Sequence, residues 1–501
     1  MSWIHPLAAE VREPVGVLGG KAHGLVVLRR LGLPVPPGFV IGTGACHAVL
    51  RDGRLPHGLD GELAAAVAGL EAATGRRLGG TERPLVVSVR SGGAVSMPGM
   101  MTTILNVGIT AEAADALAAE TGDRRFALDA RQRLLSSFAA ATAAPVPDDA
   151  LGQLRLAVGT VLASWGSPRA TTYRELHAIP HDLGTAVTVQ AMAFGNRDQR
   201  SGTGVAFSRN PNTGEPVPFG EVLFGCQGDD VVSGRSRTRP LHDLAGRGPA
   251  VWAGLLEALR RVEARYRDAC SLELTFEAGE LWLLQVRSGG LAGTAAVRVA
   301  ADLADEGLIG RHQALLRVAP EQLRQLHILH IAETAEADVL ARGLGASPGV
   351  ASGRLAATAD RAARLAADGP VILVRPETSP MDLHGLAAAA GVVTARGGPA
   401  SHAAVVARAM GKPAVVGVAG LTVDAAGAAI RAGGRTVPEG ARITIDGSTG
   451  AVVAGSPRLA PAAADPHLGR LLEWADEVSG DTSERSEAER LGAAQAELRR
   501  R

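Results

Sequence analysis

The sequence predicts a multidomain protein of mixed α/β and α+β class, and three observations carry that expectation. At 501 residues the chain exceeds what a single hydrophobic core holds, so two to four domains are expected. Short apolar runs bounded by glycine or polar turns, such as Leu85–Val89 and Thr185–Asn196, read as strands. Alanine- and leucine-rich stretches with helical spacing alternate with them, around residues 111–165 and 295–340. The 51 basic and 51 acidic side chains cancel without a long single-sign run, which argues against nucleic acid and membrane surfaces as partners. Cys46, Cys226 and Cys270 have no metal-ligand or redox spacing, and their scarcity fits a reducing, cytoplasmic setting. The N-terminus lacks a signal-peptide layout, and no uncharged apolar run reaches bilayer length.

In chain order, Leu18-Gly-Gly-Lys-Ala-His-Gly24 comes first. Its glycines allow close backbone approach, and Lys21 offers a flexible cation, although the phosphate-loop pattern is incomplete. A helix is expected from Leu25 to Leu31, closed by Gly32 and the prolines that follow. Arg90 then ends the buried strand Leu85–Val89, ahead of the loop Ser96-Met-Pro-Gly-Met-Met101. Residues 111–165 read as a helical insertion broken at Pro145 and Pro147. The strand from Thr185, carrying Gln190 and Met192, leads into glycine-rich turns at 201–215, 219–221 and 227–234. Ser271-Leu-Glu-Leu-Thr-Phe-Glu-Ala-Gly-Glu-Leu-Trp-Leu-Leu-Gln-Val-Arg287 reads as a hairpin turning at Gly279. Glu273 lies on one arm; Gln285 and Arg287, two apart, share a face of the other. A carboxylate and a carboxamide oxygen suit Mg²⁺, and a guanidinium grips phosphate; cross-strand polar pairing is the plain alternative.

Residues 295–341 read as a helical connector, and Gly343 opens a domain that runs to about 457. At its centre stands Thr394-Ala-Arg-Gly-Gly-Pro-Ala-Ser-His-Ala-Ala-Val-Val-Ala-Arg-Ala-Met-Gly411. Gly397, Gly398 and Pro399 break the preceding strand, Ser401 is the expected N-cap, and His402 falls in the first helical turn. A helix N-terminus disfavours imidazolium and welcomes phosphate, the setting that a phosphate-carrying histidine needs.

This stretch resembles the phosphohistidine loop of the pyruvate phosphate dikinase and phosphoenolpyruvate synthase family. The likeness extends from about Val11 to Val478, and the Leu85–Asn106 stretch resembles the dikinase branch. It implies an ATP-grasp domain over 1–294, a swivelling phosphohistidine domain over 342–457, and phosphorylation of His402 from ATP. It further implies Mg²⁺ on Glu273 and Gln285, phosphates on Lys21, Arg90 and Arg287, and nucleotide contacts from Gln190 and Met192. In such enzymes inorganic phosphate takes the γ-phosphoryl group and the histidine the β-phosphoryl group, giving pyrophosphate and AMP. Two departures stand out: Ser271 where the family usually has aspartate, and Thr102 where an acidic residue is expected. Some relatives are regulated through a threonine two residues before the histidine; Ala400 stands there, leaving Ser401 as the nearby hydroxyl.

In the family, a (β/α)₈ barrel of about 250 residues binds pyruvate or phosphoenolpyruvate after the phosphohistidine domain. Residues 458–501 read instead as a charged tail resembling a truncated barrel entrance, so the acceptor step is expected from a separate barrel protein. The alternatives are a phosphotransferase for another small molecule, as in rifampin phosphotransferases, or a non-catalytic nucleotide-binding partner. A homodimer stays open.

Overall fold

A computed structural model of the protein describes residues 2–500 except 96, 98, 229, 231–237, 324, 325, 327, 328, 333–337, 425, 427, 428, 462–464 and 482. The chain divides into two compact units. The first comprises Met1–Thr203, Phe224–Gln227 and Glu273–Val286; the second comprises Gly204–Leu223, Gly228–Leu272 and Arg287–Arg501. This division does not follow the boundary expected at residue 294.

The first unit is built on β1 (Ile4–Pro6), α1 (Val15–Arg30), β2 (Gly38–Ile41), α2 (Leu59–Thr74), β3 (Val87–Gly93) and β4 (Thr103–Val107). After α3 (Ala111–Thr121), α4 (Arg124–Ala141) and α5 (Ala150–Ala163) comes β5 (Thr185–Ala191). The sheet order is β1-β2-β5-β3-β4, antiparallel throughout. α3, α4 and α5 are N-capped by Thr110, Asp123 and Asp149, whose side chains accept first-turn N–H groups. Leu154, Val158, Val161 and Leu162 of α5 are fully buried. The helix expected from Leu25 begins earlier and is broken at Gly19, whose φ of 72° and ψ of 158° are non-helical. A Cβ there would stand 1.6 Å from the Gly92 carbonyl oxygen, so only glycine lets this turn cross β3. The arms β6 (Cys270–Glu277) and β7 (Glu280–Ser288) join through Ala278 and Gly279, with φ of 52° and 90°. Two successive left-handed residues make the tight turn of a two-residue hairpin.

In the second unit, α6 (Gly293–Asp305), α7 (Arg311–Arg317) and α8 (Pro320–Leu323) precede an eight-stranded sheet. Its strands are β8 (Val339–Arg342), β9 (Leu344–Ser347), β10 (Val350–Ala356), β11 (Val371–Arg375), β12 (Gly391–Thr394), β13 (Ala414–Val416), β14 (Arg442–Asp446) and β15 (Ala451–Ala454), in the order β8-β15-β14-β10-β11-β12-β13-β9. The central β10-β11-β12-β13 run is parallel and β9, β14, β15 and β8 join antiparallel. α9 (His402–Ala409) follows β12, and Ile372, Val374, Val393, Val415 and Ile443 fill the core of this sheet.

The chain from 458 onward corrects one expectation. Instead of a charged tail it forms α10 (Pro466–Ser479) and α11 (Glu487–Arg500), packed with α6, α7 and α8 around one core. Leu468, Leu471, Leu472 and Ala475 recur at helical spacing, so the charges of this segment occupy only the outer faces. Arg490 grips Asp476 through Nε at 3.1 Å, and Gln495 donates to the carbonyls of Leu315 and Val318 at 2.7 and 2.8 Å. The helices of 293–323 are thus half of a packed helical cluster rather than a bare connector.

Candidate active site

The loop that carries His402 is tied down before the helix begins. Ala395 and Arg396 donate backbone N–H bonds to the carbonyls of Arg375 and Pro376, extending β11 and β12 past their ends. Gly397 adopts φ 97°, and Ser401 N–H bonds back to the Gly398 carbonyl at 3.0 Å. Ser401 takes the extended N-cap backbone, but among the described residues its hydroxyl caps nothing and is buried without a hydrogen-bond partner. His402 is 9% exposed. Its Nδ1 lies 3.1 Å from the Thr378 hydroxyl, while Nε2 is buried with no partner among the described residues. Burial pushes the imidazole pKa below its ordinary value, against a smaller opposing pull from Asp382. The ring is therefore neutral at pH 7. In the tautomer protonated at Nδ1, Thr378 accepts that proton's hydrogen bond and Nε2 presents a bare lone pair.

Two further side chains hold this loop. Glu221 is 2% exposed and accepts the Ala400 N–H at 2.8 Å. Gly398 faces it so closely that a Cβ would stand 1.7 Å from Oε2. Burial pushes the Glu221 carboxyl pKa up, opposed by Thr238, the Ala400 N–H and Arg408. Arg408 donates to the Ala346 carbonyl at 2.8 Å and the Pro399 carbonyl at 2.6 Å, and lies over the Phe207 ring. Desolvation brings its pKa down to about 10.

A second polar cluster lies in the first unit, on one face of the β3–β5 pair. Arg90 pairs in register with Thr188, and Ser88 with Gln190. The buried Arg90 guanidinium donates to the Gln190 carboxamide and, at 3.2 Å, to the Leu284 carbonyl. Desolvation lowers its pKa and the charge of Glu273 opposes this. Thr188 keeps a buried hydroxyl, unpartnered among the described residues, beside Gly92, where the Lys21 side chain also packs.

Comparisons with known proteins bear on both clusters. The family model "Pyruvate phosphate dikinase, AMP/ATP-binding domain" matches residues 49–240, and "PEP-utilising enzyme, mobile domain" matches 367–450, which include His402. Among curated relatives, a pyruvate, phosphate dikinase of Rhizobium meliloti (strain 1021) is 39% identical over 521 residues, covering 92% of this chain and 58% of the relative. Pyruvate, phosphate dikinase 2 of Zea mays is 40% identical over 513 residues, with the same coverage of each chain. The chain belongs to the pyruvate phosphate dikinase family. It spans a little under three-fifths of the length of these relatives.

Within this family framework the structure gathers Arg90 and Gln190 directly, and Lys21 beside them across Gly92. Met192 follows β5 with its N–H on the Val86 carbonyl. Gln285 is buried and Glu273 half-buried, on the two arms of the hairpin; Arg287 is exposed at the end of β7, in the second unit's share of the chain. Among the described residues no three acidic, histidine or cysteine side chains gather as a self-sufficient metal cage. One carboxylate and one carboxamide oxygen fit Mg²⁺, which keeps waters and phosphate oxygens as its other ligands. Ser96 and Pro98 of the expected phosphate-covering loop, and 229 and 231–234 of the glycine-rich turn at 227–234, lie outside the described residues.

Sequence reasoning missed Thr378, Thr188 and Glu221. Thr188 was within reach, since it shares the period-two face of Gln190 and Met192. Thr378 and Glu221 carry no local signal, because each acts across a long sequence separation.

Proposed function

We propose that this chain catalyses phosphorylation of its own His402 from ATP, as the nucleotide-side part of a dikinase-type phosphotransferase. The observation that carries the proposal is the buried, unpartnered Nε2 of a histidine whose Nδ1 is held by Thr378. Inorganic phosphate first takes the γ-phosphoryl group as pyrophosphate. Nε2 then forms an N–P bond to the β-phosphorus as the bond to the α-phosphate oxygen breaks, and AMP leaves. The Nδ1 proton stays on its bond to Thr378, so the attacking form needs no further general base. The open N–H groups of the first turn of α9 favour the arriving anion. Lys21, Arg90 and Thr188 line the phosphate side of the nucleotide, Gln190 and Met192 its base side, and exposed Arg287 the transferring group. Glu273 and Gln285 would hold Mg²⁺, which supplies charge neutralisation on the phosphate oxygens.

The acceptor in this reading is a small carboxylic or enolic metabolite, which takes the phosphoryl group from phospho-His402. Regulation through the hydroxyl next to the histidine in sequence would fall to Ser401, but its burial means that the loop must open before any kinase reaches it.

The test is incubation with ATP labelled at the β or γ position, followed by mapping of acid-labile label. β-Label on His402 in the wild type, none in His402→Asn, and near-equal ATP binding in both are expected. Equal labelling of both proteins refutes the assignment. Absence of label in the wild type, with ATP binding intact, makes the chain a nucleotide-binding partner.

A further inference from the structure

The segment that follows β11 is built around one carboxylate. Asp382 is buried and accepts the Ser379 N–H at 2.8 Å and the Ser379 hydroxyl at 3.0 Å. Its own N–H returns to the Ser379 carbonyl at 2.9 Å, which closes the single 3₁₀ turn Pro380–Asp382. The Ser379 N–H belongs to the planar peptide group that begins at the Thr378 carbonyl, so this carboxylate also sets the orientation of Thr378. Thr378 is the residue whose hydroxyl lies 3.1 Å from His402 Nδ1. On its other side, Glu377 accepts Arg396 through Nε at 2.8 Å and Nη2 at 2.6 Å, tying the same segment to the loop ahead of His402.

The charges around the ring act on it unequally. Arg375, at the end of β11, brings Nε within 3.3 Å of Asp382 Oδ1, without a hydrogen bond from that Nε among the described residues. Its Nη1 donates to the Ala357 carbonyl at 3.3 Å. Glu377 and Arg396 pair with each other, and Glu221 and Arg408 pull on each other along the loop. Among the described residues the imidazole answers to one charge, that of Asp382, which raises its pKa against the larger effect of burial.

This arrangement matters once the ring reacts. As the Nε2 lone pair forms the N–P bond, the neutral imidazole becomes cationic, with its proton still on Nδ1. The electron pair of the breaking P–O bond leaves on the AMP oxygen. A counter-charge fixed beforehand lowers the energy of the cationic ring without having to reorganise as that ring forms. We propose that Asp382 is the positioning residue of His402: its carboxylate holds the turn that presents the Thr378 hydroxyl to Nδ1, and its negative charge offsets the positive charge that the ring acquires during phosphoryl transfer. Burial keeps the resting ring neutral, and Asp382 favours the charged ring that forms later. The inference rests on the phosphorylation of His402 proposed above.

The test replaces Asp382 with asparagine, whose carboxamide oxygen still accepts the Ser379 N–H while the charge is gone, and with alanine, which loses the turn as well. NMR titration of the imidazole, assigned by the signal that His402→Asn removes, needs no ATP and so judges this inference apart from autophosphorylation. The midpoint should move to lower pH in Asp382→Asn, because a missing negative charge leaves the imidazolium less favoured. Single-turnover labelling from β-labelled ATP, at a pH where the ring is neutral in every variant, should be about tenfold slower in Asp382→Asn. Asp382→Ala should be slower again, and that second loss should vanish in the Thr378→Val background, where no hydroxyl remains to be placed. An unmoved midpoint, or labelling by Asp382→Asn at the wild-type rate, overturns the counter-charge. A second loss that persists beside Thr378→Val overturns the positioning. A wild type that takes no label refutes the autophosphorylation reading, and the titration alone then decides whether Asp382 acts on the ring.

Discussion

Replacing Thr378 with valine keeps the shape of the side chain and removes the one group that, among the described residues, is hydrogen-bonded to the His402 ring. In the wild type that hydroxyl holds Nδ1 at 3.1 Å, inside a site where His402 is 9% and Thr378 5% exposed. With valine, the tautomer protonated at Nδ1 leaves a buried N–H unpaired, at a cost of about 1–3 kcal/mol. The ring then loses its preference for the form with a bare Nε2. Charged to the barrier for attack on phosphorus, that deficit slows His402 phosphorylation by about 5- to 150-fold. Single-turnover labelling from β-labelled ATP measures the step, with calorimetry to show that ATP binding is untouched. Thr378→Ser, which restores an oxygen at the same place, should recover most of the rate. A valine variant that labels at the wild-type rate, or a serine variant as slow as valine, refutes the positioning role.

Four other outcomes follow. Because burial depresses the His402 pKa, the labelling rate should rise with pH and level off below the ordinary imidazole value of 6.5; the same group binds fewer protons folded than unfolded, so His402→Asn should lose part of the destabilisation seen as pH falls below that value. Glu221 has the opposite sign: its raised pKa gives stability that is present below its ordinary value of 4.5 and lost as pH rises through the folded value, so Glu221→Gln should raise the urea midpoint at neutral pH and converge with wild type in acid. Leu471→Ala in the helical cluster should destabilise by about 2–5 kcal/mol in urea unfolding, whereas a frayed tail would show no change. Glu273→Ala and Gln285→Ala should weaken Mg²⁺-dependent ATP binding in calorimetry and Ser271→Asp should strengthen it; unchanged affinity in all three removes these residues from the metal site.

Several elements that carry the candidate site residues were legible because strand and turn chemistry leave local marks. The Gly-Gly-Pro break before His402, the strand carrying Gln190, and the hairpin at Gly279 are written in neighbouring residues. What escaped reading depends on distance in sequence. Gly19 looks like any flexible glycine until the Gly92 carbonyl is placed against it. Thr378 is 24 residues from His402, and Glu221 is 179 from Ala400. The C-terminal helices were misread because a high density of arginine and glutamate masks an apolar stripe only a few residues wide.

Arg408 sits on the same helix as His402, nearly two turns on, yet its guanidinium reaches back to the Pro399 carbonyl ahead of that helix. Loop and helix are thereby closed into a ring of covalent and hydrogen bonds, with Ala346 of β9 as a third attachment. A loop and helix tied this way have few internal joints between the His402 ring and the sheet. Errors in aiming Nε2 then arise from how the whole piece is oriented and not from the loop's own torsions. On the proposed reading, a motion that brought the imidazole to a donor or an acceptor would have a handful of coordinates to search, and each arrival would offer the same lone pair at the same angle.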